Sequence, residues 1–581
     1  MKKKLMLILV SMIVGLISTI AFISLYQEFS TTSWKVITLG YIGFTVLTLL
    51  MIVSYKRRRN EYHVFIKKPI IAIFVAVFSF LLFFSLKNTN QYLDAYPWLF
   101  KAFVYSMSYL LIFIGVTWLL YLLVHTSLQV KIREVSRWRI LLYAIPAILV
   151  WSVYLVAYFP GTMTPDSFSH WEQIHTLDFS NWHPVIYTWY ILGLTSLWKS
   201  PAIVAFSQIV VIAIISGYMV YSLEKRGIPH KWLWPGMILF ALFPLNGIFA
   251  IAMWKDIFFS AFIFLFTIIV YNIVSTKGRW LSSNGHLIIF SLTVLGVSFM
   301  RSNGLPIFIV MAILMMIAYR KYLKRLIITV GIVGIVYFVV TGPFYNYMEV
   351  SPTSPNEALG IPTQQIARVI VEDGGDLTEE QRTYLNKILP LEKWEEKYNP
   401  YITNPIKFAG KYNQEVIFND FPYYLKTWGS IVSNNLGLTV EAYLDQTSLL
   451  WQINPPDDGY TSTFARNVYL YNDYGLKTDP LSNPVYRFIN YGLGWVDNNL
   501  REVILRPATY TFLIILTGVA MALKNGPRSL LVILPVLLNT GTMFLAIPAQ
   551  DFRYQLANVF IAFLMIAVVF LKFDTGKVRH E

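Results

Sequence analysis

Long apolar runs alternate with short polar gaps through most of the chain. They fall at 5–26, 34–54, 69–86, 99–124, 140–159, 201–223, 233–252, 257–275, 285–300, 305–319, 326–342, 507–523, 529–547 and 556–571. An α-helix rises about 1.5 Å per residue, so roughly twenty apolar residues cross a hydrocarbon layer of about 30 Å. The pattern therefore predicts an all-α polytopic membrane protein of about fourteen transmembrane helices, the shorter runs extending into flanking residues. The run at 184–198 is only about fifteen residues long and reads as a short or re-entrant helix; the alternative is a true span offset by a neighbouring run that does not cross.

Residues 343–505 lack any run long enough to cross and are numerous enough for a domain with its own core. Helices are expected at 362–371 and 378–397, with Asp376-Leu377-Thr378-Glu379-Glu380 as a capped start. Further on, Tyr, Asn, Pro and Gly accumulate, as in Asn454-Pro455-Pro456-Asp457-Asp458-Gly459, which predicts loops and short strands. Four segments result: 1–139 with four spans, 140–342 as a membrane core with an acidic loop at 160–183, 343–505 as a mixed, mainly helical domain outside the membrane, and 506–581 with the last spans and a tail.

Composition supports this reading. The 581 residues are 56% hydrophobic and only 14% charged, with a mean hydropathy of +0.53, which suits a membrane protein and not a soluble one. Of 32 acidic and 47 basic residues, 20 and 12 lie within 343–505, leaving 12 and 35 elsewhere. The positive charge thus belongs to the short loops and marks topology, not a nucleic-acid surface. Under a fourteen-span count, Lys2 to Lys4, Lys56-Arg57-Arg58-Arg59 with Lys67 and Lys68, Lys131 to Arg139, Glu224-Lys225-Arg226, Lys277 and Arg279, Arg320 to Arg325, Lys524 to Arg528 and Lys572 to Arg579 share one side. That side is expected to be cytoplasmic, with both termini there, the first run retained as a span, and 343–505 outside. The absence of cysteine excludes disulfides and thiolate chemistry.

The unusual polar residues of the membrane part then gather on the outer face. Phe159-Pro160-Gly161-Thr162-Met163-Thr164-Pro165-Asp166-Ser167-Phe168-Ser169-His170-Trp171-Glu172, with His175 and His183, follows the fifth run. Lys255 and Asp256 stand between two runs, Arg301-Ser302-Asn303-Gly304 between another two, and Asp551-Phe552-Arg553-Tyr554 before the last. Each has a structural alternative: Asp166 as a helix N-cap, His183 as a helix-start anchor, Lys255 with Asp256 as an interfacial pair, Arg301 and Arg553 as side chains snorkelling to lipid headgroups. His170, His175 and His183 match no standard zinc spacing. Taken jointly, a carboxylate at the water–lipid boundary can serve as a general base, while Lys and Arg hold a lipid-linked phosphate and stabilise the charge that develops on it. No Gly-rich nucleotide cradle is present.

These motifs resemble the GT-C class of membrane glycosyltransferases. Thr164-Pro165-Asp166-Ser167 is similar to the acidic outer loop of that class, Asn181-Trp182-His183-Pro184-Val185 to its His-Pro-Pro motif, Arg301 to an arginine ending a span near the donor phosphate, and Arg553-Tyr554 to a late Arg-Tyr motif. The chain differs in placing four runs before the acidic loop, in Val185, and in Gln555 where a proline is usual. The resemblance implies transfer of a sugar from a polyprenyl-phosphate donor to an envelope polymer or lipid acceptor, among membrane lipids. Asp166 would be the catalytic base. Glu172 or Asp256 would assist or bind a possible divalent cation, and His183, Lys255, Arg301, Asp551, Arg553 and Tyr554 would bind substrate; the roles of Lys255 and Asp256 do not come from the resemblance and rest on their place at the outer face. The rival class is a transporter or flippase for lipid-linked glycans.

Overall fold

A computed structural model describes residues 2–28, 32–87, 91–128, 132–456 and 463–573. Lys131, Lys577 and Arg579 of the basic clusters, residues 457–459 of the proline-rich loop, and the side chains of Lys2, Lys3 and Lys4 lie outside that description. All regular secondary structure among the described residues is helical, with isolated bridges and no strand. Among them, nine helices are long and apolar enough to cross a membrane, and a bent pair makes a tenth. This suits a multi-pass membrane protein.

Ten of the fourteen apolar runs account for these helices, the bent pair included. Each run coincides with helix, but those at 285–300, 305–319, 529–547 and 556–571 form apolar helices shorter than eighteen residues, and the run at 233–252 is broken. The chain divides into two compact units. The first comprises residues 1–127 with 451–459. It contains α1 (Lys2–Tyr26), α2 (Trp34–Arg57), α3 (Pro69–Leu86) and α4 (Trp98–His125). Trp451 stacks on Phe84 of α3 at 5.1 Å, and the Ile453 amide donates to the Ser85 carbonyl.

The second unit holds the remainder. Its membrane part runs through α5 (Arg139–Ala157), α6 (Pro165–Thr176), α7 (Val185–Thr195), α8 (Pro201–Lys225), α9 (His230–Leu242), α10 (Pro244–Ala250), α11 (Lys255–Ser275), α12 (Asn284–Met300), α13 (Gly304–Ala318) and α14 (Leu323–Val339). α11 lies at the centre: 89% of its apolar window is buried, as for a helix hydrophobic all round. α5 instead leaves Leu141, Ile145, Leu149 and Val153 exposed at every fourth position, a stripe suited to lipid.

α9 and α10 meet at an angle of 58° at Pro244. Proline supplies no amide donor, so the break frees carbonyls that need partners in an apolar setting. The Trp151 indole donates to the Ala241 carbonyl at 2.9 Å, and the Asn246 amide donates to the Phe240 carbonyl at 2.8 Å.

The polar segment builds a small core from α15 (Gly360–Val371), α16 (Glu379–Ile388), α17 (Leu391–Lys397) and α18 (Phe421–Asn434), centred on Leu385, Ile388, Trp394, Ile406, Tyr424 and Ile431. Thr378 caps α16 through a capping box with Gln381, and Pro390 divides the expected helix 378–397 in two. Where short strands were expected, α18 and α19 (Leu436–Trp451) are helices. Tyr424, Thr427 and Ile431 of α18 are buried at i, i+3 and i+7, a helical period. α20 (Asn483–Ile504) lays Leu493 and Val496 into the membrane-part core, and Tyr486 meets Tyr158 edge-on at 5.4 Å. Its other face exposes Phe488, Tyr491 and Trp495. α21 (Pro507–Asn525), α22 (Leu534–Ala546) and α23 (Leu556–Val568) complete the bundle.

Candidate functional site

Two short extended segments bring the acidic loop beside the Lys255-Asp256 pair. Thr162 bridges Ala252 in parallel: the Thr162 amide donates to the Ile251 carbonyl at 3.1 Å and the Met253 amide to the Thr162 carbonyl at 3.0 Å. Gly161 makes this approach possible. Its φ is +113°, and an added Cβ would stand 2.9 Å from the Ile251 carbonyl oxygen. Gln208 of α8 donates to the Ala250 and Ala252 carbonyls at 3.2 and 2.8 Å and accepts from the Tyr187 hydroxyl at 2.8 Å. The 251–254 segment is thus held from both sides.

α6 begins at this junction. Its N-cap is Thr164, whose amide donates to the Ser167 hydroxyl at 3.0 Å; Ser167 in turn donates to the Met253 carbonyl at 2.8 Å. Capping is therefore done by Thr164, and Asp166, in the first turn, has its carboxylate free to pair elsewhere. The Arg553 guanidinium donates to it at 2.6 Å.

Arg553 is the hub. Beyond Asp166 it pairs with Asp551 at 2.9 Å and lies 3.8 Å from Asp256. Asp256 also pairs with Arg301 at 2.8 Å. Arg301 lies over the Tyr554 ring at 4.7 Å and the Phe259 ring at 5.5 Å, and Arg553 over Trp254 at 4.8 Å and Tyr554 at 5.3 Å. These aromatic faces attract the cations and fix their planes. On the far side of Asp166, His183 Nε2 stands 3.8 Å from its carboxylate, and Lys255 donates to His183 Nδ1. An ammonium only donates, so Nδ1 accepts and the proton of neutral His183 sits on Nε2, toward Asp166. His170 lies behind, with Nδ1 2.8 Å from the Thr188 hydroxyl and its ring 5.3 Å from that of His183.

Burial separates the acids. The Asp166 side chain is 29% exposed and that of Asp256 only 2%. Burial pushes the Asp166 carboxyl up, but Arg553, Lys255 and His183 outweigh it and hold it well below the usual carboxylate range. For Asp551 burial wins over Arg553, and the carboxyl is pushed up to about 6. Burial and Lys255 hold both histidines neutral: His170 falls to about 3, and His183 well below its ordinary value.

Asp166, His183, Lys255, Asp256, Arg301, Asp551, Arg553 and Tyr554 thus converge, although they come from four separate loops. Glu172 does not join them. It lies six residues after Asp166, about 120° around a helix of 3.6 residues per turn, and is exposed on the other face of α6; the expectation that it assists at the site is corrected accordingly. His175 is likewise exposed. Among the described residues no group of three or more His, Asp or Glu is arranged to hold a metal ion; the three carboxylates surround a guanidinium instead. Sequence reasoning missed Trp254, whose indole donates to Thr164 and stacks beneath Arg553, and Gln208. Trp254 directly precedes Lys255, which is the signal that could have found it.

A family model matches residues 4–580. The chain belongs to DUF6020, a family of unknown function. No curated protein and no solved structure matches the chain. Assignment of chemistry to this DUF6020 member therefore rests on the site itself: a partly exposed carboxylate, backed by a neutral histidine and a lysine, joined to two arginines that sit on aromatic rings.

Proposed function

We propose that the chain is a membrane glycosyltransferase of GT-C-like architecture. It would move a sugar from a polyprenyl-phosphate donor to an envelope polymer or lipid acceptor on the face of the membrane where the cluster lies. In this reading the shorter helices complete a fourteen-crossing bundle and the face is extracytoplasmic. The observation that carries the reading is Asp166: a carboxylate reaching solvent at the end of apolar helices, held by an arginine that a phosphate can capture.

In the resting protein Asp166 is a poor base because Arg553 stabilises its charge. A donor phosphate bound by Arg553, Arg301 and Lys255 competes for that guanidinium, and as it does so the basicity of Asp166 recovers. The acceptor hydroxyl then bonds to the anomeric carbon as its proton passes to Asp166, while the carbon–oxygen bond to the phosphate breaks. Polyprenyl phosphate departs, its new charge stabilised by the same cations. Asp256, buried between Arg301 and Arg553, positions them.

The test is Asp166→Asn, assayed for transfer of labelled sugar from polyprenyl phosphate in membranes. Loss of general-base catalysis lowers the rate by about 10²–10⁴-fold. Full activity in this variant would sink the assignment. Wild type that carries intact lipid-linked sugar across vesicles without transferring it would establish the flippase class instead.

A further inference from the structure

One indole stands a single ring beyond the Asp166–His183 pair. Trp182 stacks on His183 with centroids 4.4 Å apart and planes at 28°, yet stays 41% exposed. It is firmly supported. The Ser351 amide donates to the Phe179 carbonyl at 2.9 Å, and the Asn181 amide donates to the Ser351 carbonyl at 2.8 Å, pinning its loop to the segment that opens the polar domain. The indole N–H points to Glu357 Oε1 at 3.4 Å. The other oxygen of Glu357 accepts from Lys407 at 2.6 Å, and the Lys407 side chain is buried. Phe408, 60% exposed, meets Trp182 edge-on at 6.2 Å.

Burying a lysine to fix one carboxylate costs solvation, and leaving two aromatic rings in water forgoes their burial. The result is a rigid, open aromatic surface with a carboxylate oxygen at its rim, weakly engaged and partly exposed. A sugar ring matches this chemistry. Its C–H face is polarised positive and suits the negative face of an aromatic ring, while its peripheral hydroxyls donate to a carboxylate.

We propose that Trp182, Phe408 and Glu357 form a subsite for a sugar ring next to Asp166. This rests on the glycosyl-transfer reading and deepens it by naming where a carbohydrate ring is held. The ring could belong to the acceptor or be the transferred sugar; the chemistry is shared.

The test is saturation-transfer NMR on the full chain in phospholipid nanodiscs free of glycolipid, with glucose, galactose, mannose, N-acetylglucosamine and arabinose as probes. At least one sugar should receive saturation through its ring C–H protons. Trp182→Ala should weaken binding on the order of tenfold, while Trp182→Phe should retain most of it. Glu357→Gln should weaken it as well; because it leaves the buried Lys407 ammonium without its carboxylate, binding by this variant is read at a temperature where circular dichroism shows it folded. Signals that persist when sugar-free polyprenyl phosphate is added place the ring on the acceptor side, and signals that vanish place it on the donor; either supports the subsite. No signal from any sugar, or signals indifferent to Trp182→Ala, overturns it, as does quenching of Trp182 by brominated lipid. The two readings fail separately. Trp182-dependent binding in a wild type without transfer overturns the enzyme and keeps the subsite. Transfer without such binding overturns the subsite alone.

Discussion

Arg553 and Arg301 share the buried Asp256, and this sharing decides what each substitution does. Removing one partner of a buried pair leaves an uncompensated charge, at a cost of about 3–5 kcal/mol. Arg301→Met should therefore lower the unfolding temperature in detergent markedly, and the double variant with Asp256→Asn should recover part of the loss. Additive losses would show that the pair is not coupled. Glu172→Gln, on the exposed face of α6, serves as the neutral control. Asp551 gives a pH signature. Its value of about 6 in the folded chain exceeds the ordinary 3.8, so the folded state holds the extra proton. Its contribution to stability is full below about pH 4 and is lost as pH rises through about 6, by about 3 kcal/mol. Asp166, held low, runs the opposite way and loses its contribution in acid. The unfolding temperature of Asp551→Asn relative to wild type should thus rise between about pH 4 and 7; a constant difference would refute the shift. At this scale the sequence revealed which residues were out of place in an apolar chain. It did not reveal pairing: that Thr164 caps α6 in place of Asp166, or that Arg553 reaches Asp166, depends on contacts between residues 387 positions apart.

Among the elements, α20 departs most from expectation. Read as part of a polar outer segment, it instead buries Leu493 and Val496 in the membrane-part core and exposes Phe488, Tyr491 and Trp495 at i, i+3 and i+7. α20 packs against α5, whose own exposed leucines, isoleucine and valine suit lipid. An amphipathic helix with exposed aromatic residues suits a position in the plane of the membrane interface. Because the chain has no cysteine, single cysteines can carry an environment-sensitive dye without background. Dye at Tyr491→Cys and Trp495→Cys should emit blue-shifted and be quenched by spin-labelled lipid, unlike dye at Arg501→Cys, which is exposed about 120° around the helix from Trp495. Equal, water-like emission at these positions would place α20 away from lipid. Apolar period alone could not separate this helix from the soluble core, since both show the same stripe. The break at Pro244 was equally hidden, because a proline inside an apolar run is tolerated whenever side chains such as Trp151 and Asn246 take up the freed carbonyls.

For the whole molecule, orientation is the property that charge writes into the sequence. Outside 343–505 basic residues outnumber acidic ones 35 to 12, whereas within it acidic residues prevail 20 to 12. Short loops rich in Lys and Arg stay on the cytoplasmic side during insertion, and a polar domain of this size crosses largely regardless of charge. The loops around Ser136 and Ser283 are flanked by Arg133, Arg137, Lys277 and Arg279, and they lie at the opposite ends of α5 and α12 from the cluster; Ser433 lies in α18, within the polar segment. Each serine is exposed. In intact cells a membrane-impermeant maleimide should therefore label Ser433→Cys, and label Ser136→Cys and Ser283→Cys only after permeabilisation. The reverse pattern would put Asp166 and its arginines on the cytoplasmic face, where soluble nucleotide-linked donors are within reach, and would remove the reason for preferring a lipid-carried one. Labelling of all three in intact cells would break the assignment of α5 and α12 as crossing helices, and with it the separation of the cluster from the basic loops.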